Sequence, residues 1–274
     1  MSDWAREIDI ASQLARNAAV GMLALYHQEF EVSYKGANDP VTEADQQANA
    51  LIVKGLEESF PEDTIVAEES PLPSELPPGT RVWYVDPLDG TKEFISRNGE
   101  FSIMIGLTQN GSPQLGLVYW PTRDQLFVGI TDVTAWMESN GTRHPLKATH
   151  AKNPPNLSLV ASRSHRSPAL SRLHEALPIE EEHPMGSVGL KIGFIAQGGA
   201  DVYTEPGPFT KAWDACAPEA ILRGAGGCFT DVHGNPIQYG ANKFRNVHGI
   251  VGSTQDSHSR VVHALTGLCS TCDG

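Results

Sequence analysis

Two aspartates three residues apart carry the densest chemistry in the chain. They lie in Trp83-Tyr84-Val85-Asp86-Pro87-Leu88-Asp89-Gly90-Thr91-Lys92-Glu93-Phe94, where an apolar run ends in a turn shaped by proline and glycine. Proline fixes one backbone angle and removes a donor, while glycine permits a tight bend. Such a turn can aim both carboxylates and the Leu88 carbonyl at one point. Hard oxygen donors, with no sulfur and no nearby histidine, favour Mg²⁺ over zinc. Taken alone, the same turn can equally be a pair of side chains capping local amides. Two further acidic positions bear on the choice. Glu68-Glu69 directly follows the short apolar run Thr64–Ala67, so at least one carboxylate can project from a strand end, although a solvated acidic loop has the same composition. Trp213-Asp214-Ala215-Cys216-Ala217-Pro218 opens a helix, with Asp214 expected as its N-cap whether or not it also binds a ligand.

Periodicity supplies the elements that must hold these residues. Trp4, Ile8, Ala11, Ala15, Ala18, Met22 and Leu25 recur at helical spacing. Asn38-Asp39-Pro40 reads as a break, and a second helix follows in which Thr42 and Asp45 are spaced as a capping box. Residues 64–67 read as a strand, 71–79 as a proline-rich loop, and 82–85 as a strand ending at Asp86. Runs at 101–107, 115–120, 125–130 and 134–139, punctuated by Asn110-Gly111 and Asn140-Gly141, predict successive hairpins and an antiparallel sheet. After Asn153-Pro154-Pro155 the rhythm changes to alternation. Strands are expected at 157–161, 201–204, 228–232 and 249–252, and helices at 168–177, 188–197, 215–223 and 260–265. The fold class is therefore α/β, an antiparallel-sheet α+β lobe over 1–152 followed by an α/β lobe with a partly parallel sheet over 153–274.

Length and charge narrow the function. At 274 residues the chain is long enough to bury a large core without disulfides. Its net charge of −13 argues against a partner that is a nucleic acid polymer or an anionic membrane surface. A small anionic substrate remains compatible with it if a metal reverses the local field. No apolar run reaches the ~20 residues of a membrane span, and the N-terminus has no signal-peptide pattern, so the expected compartment is cytoplasmic. Lys191 stands about one turn into a helix behind Gly186-Ser187, and a helix start with a lysine can receive phosphate; a surface lysine on an amphipathic helix is the alternative. His165 follows a strand, at a sheet end where ligands of α/β proteins sit, or is a loop histidine that only hydrogen-bonds. Cys269 and Cys272 form a Cys-x-x-Cys with no strand–helix frame and read as incidental. The glycines from 224 to 227 read as a helix end and turn.

Glu68-Glu69-Ser70, Asp86-Pro87-Leu88-Asp89-Gly90-Thr91 and Trp213-Asp214 with Gly226-Gly227 behind it together resemble the inositol monophosphatase-like superfamily, over about residues 11–253. Thr91-Lys92-Glu93-Phe94 with Arg97-Asn98-Gly99-Glu100-Phe101, Ala161-Ser162-Arg163-Ser164-His165, and Cys216-Ala217-Pro218-Glu219 with Asp231-Val232-His233-Gly234-Asn235 resemble its 3′(2′),5′-bisphosphate nucleotidase branch. The resemblance implies the layered αβαβα sandwich of the sugar phosphatases. It also implies a lithium-sensitive, Mg²⁺-dependent phosphatase of sulfur metabolism that converts adenosine 3′,5′-bisphosphate to AMP and phosphate, with 3′-phosphoadenylyl sulfate as a second substrate. Glu68, Asp86, Asp89, Asp214 and the Leu88 carbonyl would hold up to three Mg²⁺. Asp45 and Thr91 would be the catalytic pair that orients a metal-activated water, with capping the local alternative for Asp45. Substrate would meet Glu68, Leu88, Asp89, Gly90, Thr91, Asp214, His165, Ser187, Gly189, Lys191 and Lys211. The chain departs from the bacterial branch before Trp213. Tyr203-Thr204-Glu205 and then Lys211 stand where an arginine is usual, which leaves the second phosphate without that partner. Rival readings are an inositol or other sugar phosphate phosphatase and an inactive phospho-ligand sensor. The protein is expected to be a monomer or homodimer.

Overall fold

The computed structural model describes residues 4–29, 32–36, 39–76, 79–149, 156–164, 168–240 and 244–270. Small side chains at Ala11, Ala15, Ala18 and Ala19 let helix α1 (Ala5–Tyr26) lie closely on α2 (Glu43–Ser59). Between them a hairpin of β1 (Val32–Gly36) and β2 (Asp39–Thr42) occupies the expected break. Pro40 sits in that two-stranded ribbon, where a missing donor costs no interior ladder bond.

The larger sheet has seven strands in sequence order, β3 (Thr64–Ala67), β4 (Arg81–Asp89), β5 (Ser102–Gln109), β6 (Ser112–Trp120), β7 (Gln125–Ile130), β8 (Thr134–Ser139) and β9 (Thr142–Pro145). It is antiparallel from β4 onward, as the hairpin signals predict; β3 joins β4 in parallel. Strand β9 is exposed along its length and has no apolar alternation to reveal it. After the short helix α3 (Thr91–Ile95) and these strands, the second half supplies five strands ordered β11-β10-β12-β14-β13. These are β10 (Leu157–Ser162), β11 (Ile179–Met185), β12 (Val202–Glu205), β13 (Cys228–Thr230) and β14 (Ile250–Ser253). Pairs β11-β10-β12 are parallel and β12-β14-β13 antiparallel, so this sheet is the partly parallel one expected. Strand β11 was not foreseen because Ile179-Glu180-Glu181-Glu182-His183-Pro184-Met185 is the charged, proline-bearing sequence of an edge.

Helices α4 (Pro168–Ala176), α5 (Val188–Ala196), α6 (Ala212–Gly224) and α7 (Gln255–Ser270) complete the layers. Three apolar clusters lie at the interfaces: α1 and α2 on the seven-stranded sheet, that sheet on α5 and α6 and then the smaller sheet, and the smaller sheet on α4 and α7. The result is the expected αβαβα sandwich. The expected boundary at 152/153 falls in a stretch outside the described residues, as do Cys272 and His165. Among the described residues, no helix is long and apolar enough to cross a membrane.

Helix α6 reaches the sheet through a glycine trough. Gly116 is the Cα partner of Gly106 on β5 and of Gly129 on β7. A Cβ on Gly116 would fall 2.2 Å from the Ala217 carbonyl oxygen, an atom of the helix backbone that cannot swing aside. Gly116→Ala is therefore expected to destabilise the protein by about 3 kcal/mol, the upper end for overpacking. Denaturant unfolding checks this. Stability unchanged within about 0.5 kcal/mol would mean that α6 is not seated by close approach.

Candidate active site

Strand β4 runs on through Asp86 to Asp89 rather than ending at the first aspartate, and its ladder with β5 slips between those two residues. Pro87 is accommodated in that irregularity. Asp86 Oδ1 accepts from the Leu88 N–H at 3.0 Å, so one of its oxygens also performs the local capping considered above. Gly90 adopts φ 98°, ψ 45° and turns the chain into α3. The Glu68 N–H donates to the Val85 carbonyl at 3.0 Å, which carries the β3–β4 pairing one residue further and sets the Glu68 backbone beside the Val85–Asp86 step of β4.

Asp214 arrives from the second half. It is not the N-cap of α6, as expected, but the third residue of the helix; Lys211 is the N-cap, and Asp214 Oδ2 accepts from the Lys211 N–H at 2.6 Å. Lysine is a poor capping residue, so the sequence pointed to the first acid instead. The Ala212 N–H to Phe244 carbonyl bond, 2.8 Å, and Asn246 Nδ2 on the Lys211 carbonyl, 2.9 Å, fix this helix start.

Glu68, Asp86, Leu88, Asp89 and Asp214 all line one cavity of about 820 Å³. Gly90, Thr91, Ser187, Lys191 and Lys211 line it too. The acids feel one another. Burial, reinforced by Glu68, Asp89 and Asp214, holds the Asp86 carboxyl well above the ordinary range. Burial, with Glu68 and Asp89 adding repulsion, pushes Asp214 up to about 8. Burial also raises Asp89, opposed by Lys191 and by bonds from Ser187 and Gly189. Among the described residues, no three His, Cys, Asp or Glu side chains are drawn together as a finished metal-binding group. Asp89 Oδ2 accepts from the Ser187 hydroxyl and the Gly189 N–H, and Asp214 Oδ2 accepts from the Lys211 N–H. The donor set still fits a hard divalent cation. It is all oxygen, buried and self-repelling, and a cation reverses each upward shift by stabilising the charged form.

Asp45 is 2% exposed and has both roles considered for it within reach. Its Oδ2 accepts from the Thr42 N–H at 2.7 Å, the side-chain half of the capping box, and from the Thr42 hydroxyl at 2.6 Å, while the Thr91 hydroxyl has Oδ1 at 3.2 Å and the Leu88 carbonyl at 3.3 Å as acceptors. Burial raises its pKa against these hydrogen bonds. The start of α5, read from sequence as a landing place for phosphate, holds Asp89 instead. Ser187 caps the helix by accepting from the Leu190 N–H at 3.1 Å, donates to Asp89, and sits at φ 55°. Gly189 N–H meets Asp89 Oδ2 at 3.0 Å. Lys191 is 3% exposed, which excludes the surface-lysine alternative. Burial lowers its pKa, opposed by Asp89, Glu93, Glu205 and Glu100, and its Nζ lies 5.0 Å from the centre of the Tyr203 ring.

Several cavity residues were given no site role from the sequence, although Glu93, Ser164, Tyr203 and Glu205 stand in segments quoted above; Phe209 carried no signal at all. Tyr203, Glu205, Phe209, Glu93 and Ser164 also line the cavity. Glu100 takes Arg163 in a two-pronged ion pair at 2.7 and 2.8 Å and accepts from the Gly186 N–H at 2.8 Å, tying the first half to the turn before α5. Glu100 and Arg163 are 63 positions apart, so no local spacing announces the pair.

Comparison with known proteins agrees with this geometry. The model of the inositol monophosphatase family matches residues 3–268. The 3′(2′),5′-bisphosphate nucleotidase CysQ of Escherichia coli K12 is 38% identical over 237 residues, covering 85% of this chain and 93% of its own. The crystal structure of CysQ from Bacteroides thetaiotaomicron superposes with a TM-score of 0.75 at 30% identity, covering 91% of this chain and 97% of its own. An inositol monophosphatase of Thermotoga maritima, at 23% identity, shares the fold with a TM-score of 0.82 over 97% of this chain and 98% of its own. The chain belongs to the inositol monophosphatase family of metal-dependent phosphatases.

Proposed function

We propose that this protein is a Mg²⁺-dependent 3′(2′),5′-bisphosphate nucleotidase. It removes the 3′-phosphate of adenosine 3′,5′-bisphosphate to leave AMP and phosphate, and acts on 3′-phosphoadenylyl sulfate in the same way. The observation that carries the reading is the meeting of Glu68, Asp86, Asp89 and Asp214 on one cavity that Thr91, hydrogen-bonded to Asp45 behind it, also lines. In this reading residues 1–152 supply most ligands of up to three Mg²⁺, and 153–274 supply Asp214 and the nucleotide contacts. The enzyme works in the cytoplasm as a monomer or homodimer.

When bound, Mg²⁺ lowers the pKa of water and neutralises charge on the transferring phosphoryl group. The chain's own residues do the rest. Thr91, its hydroxyl proton held on Asp45, turns a lone pair to a water and orients it for in-line attack. The amides of Gly90 and Thr91 face the phosphate from the positive-φ turn. Ser187 and Gly189 hold Asp89 in place. Lys191 takes the second phosphate, with Lys211 at the cavity wall as an auxiliary cation; His165, outside the described residues, keeps the nucleotide contact that the family resemblance implies.

Lys191→Ala is expected to lower kcat/KM for adenosine 3′,5′-bisphosphate by about 1.5–3 kcal/mol, the range for a hydrogen bond to a charged group. The loss on inositol 1-phosphate should be much smaller, and Lys211→Ala should give a weaker version of the same pattern. Equal losses on both substrates would mean that Lys191 acts only through its neighbour Asp89.

One observation favours a second reading. Glu205 is 9% exposed on β12, lines the cavity, and accepts from the Gly207 N–H at 3.2 Å. A carboxylate there welcomes hydroxyl donors, as on an inositol or sugar phosphate, more than a second phosphate. Phosphate release from adenosine 3′,5′-bisphosphate beside inositol 1-phosphate decides between the two. A preference for inositol 1-phosphate overturns the nucleotidase reading, and no release from either leaves only a phospho-ligand sensor.

A further inference from the structure

Phe209 is 74% exposed, more than any other large hydrophobic side chain among the described residues, and yet it lines the cavity. The only other aromatic on that lining, among the described residues, is Tyr203, which is buried and covered by the Lys191 ammonium. Phe209 is held from one side. A Cβ on Gly207 would fall 2.3 Å from Phe209 Cε2, so the ring lies directly against the Gly207 backbone. Gly207 stands between Pro206 and Pro208 and donates its N–H to Glu205 at 3.2 Å. Two prolines restrict the loop to few conformations, so the ring is seated before any ligand arrives. Little conformational entropy is then lost when a ligand covers its other face.

The same cavity carries carboxylates that suit a cation and lysines that suit an anion, alongside small polar and apolar side chains, so the planar group that stacks on that face belongs to a ligand that also carries a phosphate. The geometry points to Phe209 as the platform on which the nucleobase of the substrate stacks. The inference rests on the nucleotide reading above and deepens it. Stacking reads the face of a base and not its edge, so the platform favours nucleotides over sugar phosphates without selecting one base.

The test compares AMP with ribose 5-phosphate as competitive inhibitors of whichever phosphomonoester the wild type turns over, adenosine 3′,5′-bisphosphate or inositol 1-phosphate. Wild type should bind AMP more tightly than ribose 5-phosphate. Phe209→Ala should reduce that preference about tenfold, which is about 1.4 kcal/mol. Phe209→Leu, which keeps bulk but not the plane, should behave like alanine, and Phe209→Tyr should restore the preference. A wild type without preference, an alanine variant that weakens both inhibitors equally, or one that weakens neither overturns the platform. Failure of the nucleotidase reading shows separately, as a wild type that does not hydrolyse adenosine 3′,5′-bisphosphate. The AMP preference, read with inositol 1-phosphate as reporter, still decides the platform in that case.

Discussion

Asp89→Asn is expected to fold normally and to lose at least about a hundredfold of its phosphatase activity, the usual cost of one electrostatic contact in a reacting site. The amide oxygen of asparagine can still accept from the Ser187 hydroxyl and the Gly189 N–H, so the start of α5 keeps its partner. What disappears is a charge facing Lys191 and sharing a cavity with Glu68, Asp86 and Asp214. Circular dichroism establishes the fold, and phosphate release in saturating Mg²⁺ gives the activity. Retention of more than about a tenth of wild-type activity would contradict a role for Asp89 in holding the cation.

The second large effect separates the two roles of Asp45. Thr91→Ala should lower kcat by about a hundredfold, within the range for a lost acid–base partner, with little change in stability. Asp45→Ala should lose as much activity and, in addition, about 1–2 kcal/mol of stability, because it also opens the capping box on Thr42. Denaturant unfolding beside steady-state kinetics reads both quantities. An Asp45→Ala protein that is destabilised but turns over normally would reduce Asp45 to a helix cap.

The long periodic segments were legible in the sequence because burial on one face repeats at a fixed interval. Helix α1 shows this with Ala11, Ala15, Ala18 and Met22, and β5 to β8 show it with their asparagine–glycine turns. Elements stabilised from outside were not. Strands β9 and β11 are paired at sheet edges and carry polar sequence, and β1–β2 forms where proline argued for a break. Within the site, type and spacing marked the acids as ligands or as local caps, and only the family resemblance chose between the two. Their partners carried no such mark. Ser187 and Gly189 reach Asp89 across 98 and 100 positions of chain, and only the folded layers reveal that a helix start faces a carboxylate. Phe209 shows the same limit, since an exposed aromatic is a feature of the surface and leaves no pattern along the chain.

The central claim is that Glu68, Asp86, Asp89 and Asp214 form one divalent-cation site, and the melting temperature in Mg²⁺ against chelator tests it most directly. A cation at ~100 times its dissociation constant adds roughly 2.7 kcal/mol to the folded state. For a chain of this size that is a rise of about 5 °C or more. Asp86→Asn, which removes one of the mutually repelling charges, should melt no lower than wild type in chelator and should lose most of the response to Mg²⁺. A wild-type melting temperature that is the same in millimolar Mg²⁺ and in chelator would contradict a shared cation site.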